Sequence, residues 1–132
     1  MEDKEALEMV DVENIDPKLL ATIEKKVADL KENNPKAKIV PLVVEGEPDF
    51  DEKEAYVGYF SRPSFINFSK YLSLSQKDQA NAMRQLARDC FVDGDRELID
   101  DDDLFLFGLM GQLQHLIKMR GGRLVNLSKP GK

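Results

Sequence analysis

Apolar residues recur at helical spacing in four segments of the chain and at β spacing in two. After Asp16-Pro17, an N-cap residue followed by proline at the first helical position, Leu19, Leu20, Ile23, Val27 and Leu30 line one side. This predicts an amphipathic helix over 17–33, ended by Asn33-Asn34-Pro35. The run KIVPLVV (38–44) is rich in β-formers, and Pro41 restricts it to a sheet edge. An acidic, turn-rich loop (EGEPDFDEKE) leads to AYVGYF (55–60), which makes an antiparallel hairpin with it. Gly58 there marks a bulge or a place where something approaches the backbone closely.

Arg62-Pro63-Ser64 then breaks the pattern, and Phe65, Phe68, Tyr71 and Leu72 predict a short aromatic-faced helix over 63–73. Ser75 with Asp78 forms a weak capping box for a helix over 76–91, with Met83, Leu86, Ala87 and Cys90 inward. The last helix, from about Asp102 to Met119, is apolar over most of its circumference (LFLFGLMGQLQHLIKM, 104–119), so other surface must cover it. Gly121-Gly122 stops it. The fold class is therefore α+β and mostly helical: an N-terminal helix, one antiparallel β-hairpin, then three helices. At 132 residues this is one domain over 16–119, with a flexible acidic arm (1–15) and a flexible basic tail (120–132).

Composition changes this picture in two places. Hydrophobic content of 42% with 33% charged excludes global disorder, and a net charge of −6 argues against nucleic acid as partner. The charge is also uneven. Residues 1–16 carry seven acids against one lysine, residues 93–103 seven against one arginine, and residues 118–132 five cations and no acid. That asymmetry fits copies meeting head to tail, a tail clipped onto its own acidic segment, or a solvated end. One cysteine excludes an internal disulfide, the acidic N-terminus lacks signal-peptide order, and the 104–119 run is too short to span a membrane. The expectation is a soluble cytoplasmic protein.

Candidate chemistry is sparse. Asp89, Asp93, Gly94, Asp95, Glu97 and Asp100 can be laid on a calcium-loop template, but its third position is Phe91 and its twelfth is Asp100 in place of glutamate. Asp89 to Phe91 fits better as the last helical turn, with Phe91 buried, and the acids read as a connector capping the next helix. His115 is the only histidine and reads as a core-edge residue, and Cys90, without a flanking base, as a small core residue. No nucleophile elbow or phosphate-binding glycine loop occurs. The expectation is no enzymatic activity, no metal and no cofactor.

From Tyr56 onward, about 60 residues resemble the tail assembly chaperones, and related small proteins, of tailed bacteriophages. The likeness lies in a strand ending in Arg62-Pro63-Ser64, the aromatic helix FINFSKYLSL, and a helix closing on Leu86-Ala87-Arg88-Asp89-Cys90. The acidic turn VDGDRELIDDDD and a last apolar helix ending in Gln114-His115-Leu116-Ile117 complete it. Residues 1–55 carry none of it. The resemblance implies a homo-oligomeric chaperone in the infected host's cytoplasm that coats hydrophobic helical segments of the tape measure protein, or of another tail protein. Phe105, Leu106, Leu109, Met110 and Leu113 are then the candidate client-contacting residues, and Gly108 and Gly111 would permit close helix approach. The alternatives are a structural component retained in the virion and a host-directed regulatory binding protein.

Overall fold

A computed structural model describes residues 15–117 and 120–127. The elements, in order, are α1 (Pro17–Asn33), β1 (Ile39–Glu45), β2 (Ala55–Ser61), α2 (Phe65–Ser75), α3 (Gln79–Cys90), β3 (Phe91–Gly94), the single turn α4 (Glu97–Asp100) and the last helix, α5 (102–115). The expected arm over 1–15 lies, but for Ile15, outside the described residues. Residues 120–127 are exposed and without regular secondary structure.

The α+β class and the N-terminal helix with its hairpin are as the sequence pattern predicts, but the sheet has a third strand. Its order is β1-β2-β3, antiparallel throughout. Residues read as a final helical turn and acidic connector instead leave α3 at Cys90 and pair with β2. Tyr59 faces Asp93 and Phe60 faces Phe91, so Val92 is an extra residue that bulges outward. Phe91 is half-buried and meets Phe60 edge to face at 5.7 Å. Gly94, at φ 115°, turns the chain out of β3, where an added Cβ would lie 2.5 Å from the Val57 carbonyl oxygen. Asp95 then clasps β2: its carboxylate accepts from Val57 N–H (2.9 Å) and its own N–H donates to Val57 O (2.8 Å). Pro41 sits in the edge strand, as its missing N–H requires.

Alternation along the strands divides the interior. Leu42, Val44, Tyr56 and Phe60 face the principal core, with Met83, Leu86, Leu98, Ile99, Phe105, Leu109, Leu113 and Leu116. Each such burial contributes about 1.5–3 kcal/mol. Val57 and Tyr59 point to the other face, where Ile23 of α1 covers them with Leu19, Val27 and Leu30. The sheet is thus a middle layer, with α1 behind it and the C-terminal helices in front.

Local chemistry sets the helix bounds. Asp16 precedes Pro17 at the N-cap of α1 but makes no side-chain capping bond. Ser64 caps α2 by accepting from Asn67 N–H, and Asp78 caps α3 by accepting from Asn81 N–H. Ser75, expected in a capping box for α3, instead ends α2 and donates to the Leu72 carbonyl. Asp101 caps α5 by accepting from Leu104 N–H at 3.0 Å. α5 carries a π-helical stretch, Phe105–Leu109, and tightens into a 3₁₀ turn at Leu113–His115. Gly108 lets this helix approach β1: an added Cβ would fall 2.6 Å from Val44 Cγ1, whereas Gly111 has nothing within 4 Å. The close approach expected at the two glycines therefore occurs at one, and it is helix to strand. Gly58 is closely approached as predicted, by Phe60 and Leu98.

Candidate functional site: exposed apolar surfaces

Of the residues proposed to touch a client, the structure turns Phe105 (1% exposed), Leu109 and Leu113 (both 0%) into the domain's own core, and Met110 packs half-buried against it. The reason is topological: the sheet and α3 supply the cover that so apolar a helix needs. Leu106 alone of the five is exposed, next to Phe107, which points out at 84% exposure.

The apolar surface left uncovered lies chiefly on α2. Six of its residues are apolar or aromatic (Phe65, Ile66, Phe68, Tyr71, Leu72, Leu74), yet none is buried. Phe68 and Tyr71 stack on one another at 5.6 Å on the half-buried side. Phe65 (86% exposed), Ile66 (69%) and Leu72 stand on the outer side, with Ser69 and Ser73 between them. Sequence periodicity groups Phe65 and Leu72 with Phe68 and Tyr71 on one face and passes over Ile66. The signal available was that FINF places apolar residues on both sides of a short helix. Beside Phe65, a cleft of about 310 Å³ is lined by Arg62, Pro63, Phe68, Leu116 and Ile117, joining the start of α2 to the end of α5.

A second exposed apolar site sits where the hairpin loop meets α5. Phe50 and Phe107 flank a shallow groove of about 140 Å³ floored by Val44, Leu104 and Gly108. Its rim is acidic: Glu45, Glu47, Asp51 and Asp103. Asp51 accepts from Glu47 N–H at 2.7 Å. None of the four makes an ion pair among the described residues.

The carboxylates of the calcium-like pattern disperse instead of converging. Asp93 pairs with Lys26 at 2.7 Å, which together with the Gly94 N–H holds its carboxyl below the usual range. Lys53 bridges Asp95 and Glu97, Asp100 pairs with Arg96, and Asp89 lies 3.4 Å from Lys70. No group of three or more potential ligands assembles among the described residues. Arg84 ties α3 to the start of α5, donating to the carbonyls of Ile99 (2.7 Å) and Asp100 and pairing with Asp102. Cys90 is buried, and burial with the neighbouring Asp89 charge pushes its thiol up to about 11, away from nucleophilic character at neutral pH. His115, expected at the core edge, is exposed and lines a broad groove along β1 with Val40, Pro41 and Gln112.

No described helix is long and apolar enough to cross a membrane. No family model, curated protein or solved structure matches the chain.

Proposed function

We propose that this chain is a non-enzymatic binding protein that self-associates and shields apolar helical segments of another protein, in the manner of a phage tail assembly chaperone acting on the tape measure protein in the infected host's cytoplasm. The observation that carries the reading is α2, an apolar helix with no buried residue, presenting Phe65, Ile66 and Leu72 beside the Pro63–Ile117 cleft. Large side chains exposed together on a folded element lose free energy to water unless a partner covers them. An amphipathic helix is a fitting occupant, because its ridge of side chains can lie along α2 with one anchor in the cleft. The excess of acids keeps such a surface from collapsing onto itself without a client.

The test is suppression of aggregation of a synthetic apolar helical peptide, followed by light scattering. The wild-type chain should suppress it, and Phe65→Ser with Ile66→Ser should abolish suppression while leaving the melting temperature unchanged, since both positions are exposed. Equal suppression by the variant, or none by the wild type, refutes the reading.

A further inference from the structure

The basic tail holds no acids and carries the two most exposed of the large apolar side chains among the described residues. Leu124 and Leu127 are 93% and 89% exposed, Val125 is exposed beside them, and Arg120 and Arg123 make no ion pair among the described residues. A segment of this kind needs a surface that is apolar in the middle and acidic at the rim.

The acidic segment 93–103 does not meet that need. Asp93, Asp95, Glu97, Asp100 and Asp102 are held by Lys26, Lys53, Arg96 and Arg84, and Asp101 caps α5. The Phe50–Phe107 groove does, because its two exposed rings stand among Glu45, Glu47, Asp51 and Asp103, which lack a cation among the described residues. We propose that residues 120–127 of one copy dock on the Phe50–Phe107 groove of a second copy, with leucine side chains against the rings and Arg120 and Arg123 against the acidic rim. The inference deepens the self-association in the reading above and rests on it. A second copy is the occupant because the groove is built on the first turns of α5 while the tail follows its last turn in the chain, and both are exposed within one copy. Groove and tail are different surfaces, so the contact is head to tail and propagates from copy to copy until it closes into a ring or runs on as a chain.

The experiment is sedimentation of three full-length proteins over a range of concentration and salt: wild type, Leu124→Ser with Leu127→Ser, and Glu45→Lys with Glu47→Lys. All four changed positions are exposed, and unchanged circular dichroism and melting confirm folding. The wild type should sediment above its 15.0 kDa monomer mass and dissociate as salt rises. Each variant alone should be monomeric. Mixed in equal amounts they should form dimers and nothing larger, because only one intact tail and one intact groove meet. Variants that associate like the wild type overturn this contact and leave the self-association reading standing. A mixture that stays monomeric overturns docking between copies. A wild type that is monomeric yet suppresses peptide aggregation overturns this contact and the self-association, and leaves the shielding role standing. Association through the tail without such suppression refutes the shielding role alone.

Discussion

Alanine at position 108 sets helix propensity against a steric conflict. At an unobstructed helical site, replacing glycine by alanine gains roughly 0.5–1 kcal/mol, because the unfolded chain has fewer conformations to lose. Gly108 is obstructed: the new Cβ would stand 2.6 Å from Val44 Cγ1 and 3.4 Å from its Cγ2. Carbon atoms in contact prefer about 3.5–4.0 Å. Val44 is β-branched and buried between the sheet and α5, so it has few rotamers with which to give way, and α5 or β1 must shift. Overpacking of this kind costs about 1–3 kcal/mol, and with the propensity gain subtracted the mid-range net loss is about 1–1.5 kcal/mol. For a chain of this size that lowers Tm by roughly 3–8 °C. Gly111 in the same helix has nothing within 4 Å, so Gly111→Ala should raise stability by about 0.5–1 kcal/mol. Urea denaturation followed by far-ultraviolet circular dichroism measures both variants, and Gly108→Ala combined with Val44→Ala should recover part of the loss through coupling. If Gly108→Ala stabilises as much as Gly111→Ala, α5 does not lie against β1 as described.

Gly94→Ala should destabilise by about 2–3 kcal/mol, since it forces a side chain onto positive φ and against the Val57 carbonyl, and hydrogen exchange should quicken at Val57 and Asp95. Cys90 should resist thiol reagents at pH 8 in the folded protein and label only as fast as the chain opens. Its folded thiol holds the proton more tightly than the unfolded one, so its contribution to stability is full below the ordinary thiol range. That contribution, roughly 2–3 kcal/mol, is lost as pH rises toward about 11. Comparing alkaline denaturation of the wild type with Cys90→Ala isolates it, and equal slopes would contradict the burial.

Strong periodicity and explicit punctuation made much of the fold legible. The bounds of α1 follow from Asp16-Pro17 and Asn33-Asn34-Pro35, and the hairpin from two β-rich runs about an acidic loop. β3 was not legible, because its four residues follow a helix directly and hold one inward aromatic, Phe91, beside a bulged Val92. Only Asp93-Gly94, a turn dipeptide, marks the change of direction. The exposed surfaces were legible in composition and not in position. An apolar helix must be covered, but whether its own domain does the covering depends on layer order, and the layers assign Phe105, Leu109 and Leu113 inward while leaving Phe65, Ile66 and Phe107 outside. The Phe50–Phe107 groove joins a hairpin loop to a helix some fifty positions on, a juxtaposition that no local spacing encodes.

The unequal division of the interior bears on how this molecule can diversify. α1 attaches through the lesser cluster behind the sheet and the Lys26–Asp93 bridge, while the larger cluster closes without it. The first helix can therefore drift in length and register among descendants, provided that Val57 and Tyr59 keep a greasy lid. The strands β1 and β2 and the helices α3 to α5 have no such latitude, since their inward residues share the larger cluster.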